Sequence, residues 1–173
     1  LDNGGTLTRN IEIEAREYLP LTSRTELAAR LYLAGADGNR PSIFAFGGLD
    51  TLRGVRVRSV GGNRAGYLNV ELRFPLIDRL STPFLELRNI RGRIFTDIGA
   101  AWYDLEGNEF NFLGQPGFDF MEDGRLKDGI GAYGVGFSLT LLGLPVHWDF
   151  VKRWDLKDTI GDTEVDFWIG YRF

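Results

Sequence analysis

The chain contains no cysteine, which excludes a disulfide framework, a zinc ribbon and a thiol nucleophile. It has one histidine, His147, and five serines, none of them in a nucleophile-elbow motif. That leaves little material for histidine-based acid–base chemistry, a histidine-rich metal site or a hydrolase triad. Positive charge is not in excess either. The formal net charge of −4 argues against nucleic acid as the main partner, since binding it needs a basic face that displaces counterions. Leu1 to Thr6 shows neither a basic nor an apolar leader region, so any signal peptide is expected upstream or already removed. One uncharged run, Gly129–Trp148, has the length of a membrane helix, but it holds five glycines and Pro145. A helix interior tolerates these poorly, proline costing about 3 kcal/mol.

Glycine and aromatics are both abundant, at 23 residues each. Read with a period of two, the uncharged run separates into two faces. Tyr133, Val135, Phe137, Leu139 and Leu141 oppose Ala132, Gly134, Gly136, Ser138 and Thr140. The same division recurs along the chain. Leu27, Ala29, Leu31 and Leu33 oppose Glu26, Ala28, Arg30 and Tyr32, while Leu68, Val70, Leu72 and Phe74 oppose Tyr67, Asn69, Glu71 and Arg73. Ile94, Ile98, Ala100 and Trp102 oppose Arg91, Arg93, Asp97 and Tyr103. Val165, Phe167, Ile169, Tyr171 and Phe173 oppose Asp166, Trp168, Gly170 and Arg172. Weaker patterns over Thr6–Leu19 and Pro145–Lys152 bring the expected strands to seven.

Alternation alone also fits a soluble sandwich. Three features favour an antiparallel transmembrane β-barrel. Several strands reach ten residues, the length of a tilted membrane strand. The polar faces carry Arg, Glu and Asp at successive alternate positions. The connections also alternate between short (Pro20-Leu21, Leu142–Leu144) and long (36–64, Asp104–Asp128, Arg153–Glu164), with Pro75–Asn89 intermediate and the poorest fit. Bacterial barrels have even strand numbers. Seven strands therefore predict an eighth or more, upstream or from a partner chain.

Three segments and the closing strand carry a family resemblance. FAFGGLDTLRGVRV spans Phe44–Val57, YLNVELRFPL spans Tyr67–Leu76, GRIFTDIGAAWYD spans Gly92–Asp104, and VDFWIGYRF ends the chain. In this order they resemble the barrel region of the BamA/TamA outer-membrane assembly superfamily, also called the bacterial surface antigen family, over most of the chain. The resemblance implies that residues 1–173 form the C-terminal half of the family barrel, with the loop 36–64 folded into the lumen. It further implies that Arg53 of the loop's Arg-Gly motif pairs with Glu71 and Asp97 on neighbouring strand interiors. Both acids fall on the polar faces read from the pattern, and a buried guanidinium needs such partners. Gly47, Gly48 and Gly54 would allow the loop to turn tightly. Val55 stands where the family usually has an aromatic, which leaves the packing of the loop tip open. The competing reading puts Arg53 on a solvated loop with Arg56, Arg58 and Arg64. Phe167, Ile169, Tyr171 and Phe173 resemble the C-terminal signal by which outer-membrane proteins are recognised for insertion.

The function so implied is non-enzymatic and without a cofactor: assistance in inserting or translocating other proteins. The expected partners are outer-membrane lipids, the assembly machinery, client outer-membrane proteins and a second copy of the chain, with no nucleic acid. The alternative is a structural anchor or small pore that carries an upstream soluble domain or closes by self-association. Other motifs weigh less. GIGAYG at Gly129–Gly134 spells a dinucleotide fingerprint but precedes a strand rather than a helix. Asp119, Glu122, Asp123 and Asp128 lack the ligand spacing of a calcium loop and read as a solvated loop. His147 and Asp149 share a polar face, where an interior hydrogen bond is the expectation.

Overall fold

The computed structural model describes residues 5–81, 86–104, 117–141 and 143–170. Its main body is one antiparallel sheet of seven strands in chain order: β1 (Thr8–Pro20), β2 (Glu26–Gly38), β5 (Arg64–Ser81), β6 (Glu86–Trp102), β9 (Ile130–Leu141), β10 (Leu144–Trp154) and β11 (Thr159–Ile169). Two short ribbons decorate it. β3 (Phe44–Phe46) pairs with β4 (Val60–Gly62) inside the loop after β2, and β7 (Met121–Glu122) pairs with β8 (Arg125–Leu126) before β9. Among the described residues the sheet does not close on itself: β1 and β11 are its two edges. No helix among the described residues is long and apolar enough to cross a membrane, which says nothing about crossing by strands.

The two faces of the sheet are inverted relative to a water-soluble domain. Leu31, Leu33, Leu68, Ile94, Val135, Phe150, Val165 and Phe167 project from the outer face and are exposed. Asn69, Glu71, Arg93, Asp97, His147 and Asp149 are buried on the inner face. Isolated exposed apolar side chains are ordinary, but a sheet that buries its charges and exposes its aliphatics is not. The loop between β2 and β5 lies over the inner face. It brings Leu52 and Phe46 against Ala65 and Tyr67, with Val55, Phe44 and Val60 packed around them.

Two expected connections are mostly ladder. Pairing of β5 with β6 continues past Pro75 to Ser81↔Glu86, so the link expected over Pro75–Asn89 shrinks to residues 82–85. Pro75 interrupts the alternation, because a proline is accommodated where the register shifts, here between Pro75 and Ile77. The loop expected over Arg153–Glu164 is likewise reduced to residues 155–158, and the last strand begins at Thr159 rather than Val165. A two-residue step from Val151 to Arg153 faces a four-residue step from Ile160 to Glu164. Gly161, at φ 72°, lies in that irregular stretch. Charged residues and an irregular register conceal the strand there. The loop over 36–64 is shortened too, since β2 runs to Gly38.

One glycine tests how tightly the loop's own ribbon is held. A Cβ on Gly62 would overlap the backbone of Trp102, whereas one on Gly61 would sit 3.4 Å from the Phe44 carbonyl oxygen. Gly62→Ala is therefore expected to destabilise the folded protein by about 1–3 kcal/mol. Gly61→Ala should stay within about 0.5 kcal/mol, the range of an uncrowded substitution. Equilibrium denaturant unfolding of the two variants checks the difference; equal effects would contradict the contact.

Candidate functional site: a buried guanidinium clasp

The strand register fixes where the charges meet. Asn69 of β5 lies opposite Asp97 of β6, and Glu71 lies opposite Phe95, all on the inner face. The loop lowers Arg53 onto this pair of rows. Its Nε donates to Asp97 Oδ2 at 2.6 Å and its Nη2 to Asp97 Oδ1 at 2.6 Å, a two-pronged match between planar groups. Its Nη1 donates to Glu71 Oε2 at 3.1 Å, and its backbone N–H donates to Asp97 Oδ2 at 3.2 Å. The guanidinium carbon stands 3.4 Å from the centre of the Phe95 ring, a cation–π contact. Arg53 and Asp97 are fully buried.

Neighbours complete the clasp. The Asn69 amide donates to Asp97 Oδ1 at 2.8 Å and to the Thr51 carbonyl at 2.6 Å, tying strand and loop together. Arg73 donates to Glu71 Oε1 at 2.8 Å and to Glu26 at 3.0 Å, so Glu71 serves two arginines. Missing side chains make the space. A Cβ on Gly99 would meet Leu52 Cδ1 at 2.5 Å, and one on Gly134 would meet the Phe95 ring at 2.6 Å.

The structure thus brings Arg53, Glu71 and Asp97 together. Gly47, Gly48 and Gly54 all adopt positive φ (125°, 91° and 74°), a conformation costly for other residues. The Gly54 backbone sits close to β9 and β10, where a Cβ would stand 3.1 Å from Val151 and 3.2 Å from Arg153. Val55 packs with the loop's apolar cluster. Phe167 and Ile169 are exposed on the outer face of β11, while Tyr171 and Phe173 lie outside the described residues. Sequence reasoning missed Phe95 and Asn69 as members of the clasp. Their signal was parity, since Phe95 shares the face of Arg93 and Asp97.

A second charged group lies one row away. Arg93 Nε donates to Asp149 Oδ1 at 2.6 Å, and Arg93 Nη1 lies 2.9 Å from His147 Nδ1. His147 and Asp149 therefore both meet Arg93, a partner the sequence reading did not assign to them. On adjacent strands, Arg73 and Arg93 are directly opposed. Each turns away from the other, Arg73 towards Glu71 and Glu26, Arg93 towards Asp149 and His147.

Two of the acidic loop residues, Asp119 and Glu122, make ion pairs. Lys127 meets Asp119 at 3.4 Å and Glu122 at 3.2 Å. No cluster of three or more metal-ligating side chains occurs among the described residues. GIGAYG runs into β9, with no helix to hold a pyrophosphate. Arg125 binds Asp155 and Asp158 in the turn after β10, joining two loops.

Two measurements follow. Arg53→Ala leaves Asp97 buried with the neutral amide of Asn69, and breaking a buried pair in this way costs about 3–5 kcal/mol. Denaturant unfolding and heat-modifiable gel mobility of the folded protein should show that loss, and adding Asp97→Asn should recover part of it. Equal losses in the single and double variants would contradict the pairing. In the turn, the backbone N–H groups of Asp158 and Lys157, followed by Arg125, hold the Asp155 carboxyl down to about 2 from its usual 3.8. A carboxyl depressed on folding stabilises the fold above its unfolded pKa and loses that contribution as pH falls through the folded value. The turn is therefore expected to keep its contacts at pH 4 and lose them near pH 2, read by carboxyl NMR titration of Asp155.

No family model matches the chain, and no curated protein matches it in sequence. Among solved structures, the chain is similar to BamA from Haemophilus ducreyi lacking POTRA domains 1–3, with a TM-score of 0.64 and 18% sequence identity. The similarity covers 98% of this chain and 35% of that one, so the chain spans about a third of the neighbour's length. The seven-stranded antiparallel sheet with its folded-in loop thus shares the fold of part of a BamA structure.

Proposed function

We propose that this chain is part of an outer-membrane β-barrel of the assembly type, without enzymatic activity, which assists the insertion or translocation of other proteins. One observation carries the reading: an inside-out sheet whose long loop is pinned to the inner face by Arg53. The exposed aliphatic face suits hydrocarbon, and the paired charges suit an interior shielded from it. Likeness to a BamA structure supports the same reading at the level of fold.

The two open edges suggest how such a protein would act. Each edge carries backbone N–H and C=O groups with no neighbouring strand, and in hydrocarbon each unsatisfied group costs several kcal/mol. An edge of this kind gains by pairing, either with further strands of its own barrel or with an incoming strand of a client. On this reading Arg53, Glu71 and Asp97 brace the wall while the β11 edge changes partner. The partners would be outer-membrane lipids, the assembly machinery and client barrels.

The complete protein carrying this chain, reconstituted in liposomes, should speed the insertion of a second, unfolded barrel. An unrelated porin at the same density is the control. If the two perform alike, the reading falls and the barrel is a structural anchor or pore.

A further inference from the structure

The only histidine, on β10, sits opposite the end of β11. The β10–β11 ladder closes with Val146↔Ile169, and His147 faces Trp168 one step in. The imidazole stacks on the Trp168 indole with centroids 3.7 Å apart and planes 1° from parallel. Its two nitrogens point in different directions. Nδ1 lies 2.9 Å from Arg93 Nη1, and Nε2 lies 3.0 Å from the carbonyl oxygen of Gly170. A guanidinium nitrogen can only donate. Nδ1 must therefore accept, and the ring proton resides on Nε2, where it donates to Gly170. Arg93 is itself fixed by Asp149, and Gly136 leaves room for that pair, since a Cβ there would overlap Asp149 Oδ1 and stand 2.8 Å from Arg93 Nε. A strut thus runs from β6 across β9 to β10 and ends on β11.

Gly170 adopts φ 136° and donates its N–H to the Pro145 carbonyl at 2.9 Å, while its own carbonyl goes to His147. Among the described residues β11 has a neighbouring strand on one side only, and its residues from Thr159 to Val165 are all exposed. Among the described residues, this imidazole gives the end of β11 a polar contact with the inner face.

We propose that His147 is a latch on the end of β11: keyed by Arg93 as the Nε2–H tautomer, it holds Gly170 and Trp168 to the inner face and limits release of the last strand from β10. The latch is a positioning device. It concerns the strand's freedom and does not depend on the insertion reading, so its test involves no client protein.

Two variants of the complete membrane-embedded protein separate the components. His147→Phe keeps a ring against Trp168 but loses both hydrogen bonds, whereas His147→Gln keeps one acceptor and one donor and loses the ring. Amide hydrogen exchange at Phe167–Gly170 should rise roughly tenfold or more in His147→Phe, a local opening rather than global unfolding. Exchange in β5 and β6 around Asn69 and Asp97 should be unchanged, and His147→Gln should restore most of the protection. The idea fails if His147→Phe leaves the strand end protected, if exchange rises equally throughout the sheet, or if His147→Gln opens as much as His147→Phe. The unaltered protein supplies a check independent of folding yield. Its imidazole 15N shifts should report the Nε2–H tautomer, and an Nδ1–H tautomer would overturn the latch.

Discussion

A guanidinium that has left water must be met by negative charge held in place by other parts of the chain. Arg53 imposes this constraint on the whole molecule. Its partners Asp97 and Glu71 come from adjacent strands, and they reach it only if β5 and β6 pair in the observed register. A slip of one residue between these strands would turn one of the two acids to the outer face and part it from the other. The clasp therefore links three things that could otherwise vary separately: the register of the central hairpin, the inward fold of the loop and the polarity of the inner face. A desolvated ion pair is no strong source of net stability, but leaving either member alone is expensive. Such a pair selects one arrangement by penalising the others.

Room for the clasp comes from what is missing nearby. Gly99 gives way to Leu52, Gly134 to the Phe95 ring, and Gly136 to Asp149 and Arg93. The high glycine content thus has a location, on strand interiors, in addition to the loop turns where φ is positive. Three aromatics take places on the outer face, where Phe137, Trp148 and Phe167 lie in one cross-strand row with neighbouring rings 4.9 and 5.2 Å apart.

Much of this was legible in the sequence because strand side chains alternate with a strict period. The inner positions of Glu71 and Asp97 follow from counting, and the family resemblance placed Arg53 against them. The period fails where it is broken. Pro75 hides the continuation of β5, and the irregular register near Arg153 makes the start of β11 read as a loop. The second charged group was half visible. His147 and Asp149 lay on one polar face, but their shared partner Arg93 sits two strands away across Gly136, a distance no local pattern encodes. Nor does alternation reveal closure, because the edges of a sheet look like its interior until pairing is known.

The opposed arginines of the central hairpin have a consequence of their own. Arg73 and Arg93 face each other across β5 and β6, and each leans outward to acids on its own side. Two like charges can therefore stand side by side on the inner face, each satisfied by its own acids. A charge change on the β2 side meets Glu26 and Glu71 first, and one on the β10 side meets Asp149 first. The two neighbourhoods share a backbone ladder and stay in electrostatic contact, because the charge of Asp149 on the far side also favours the cation of Arg53.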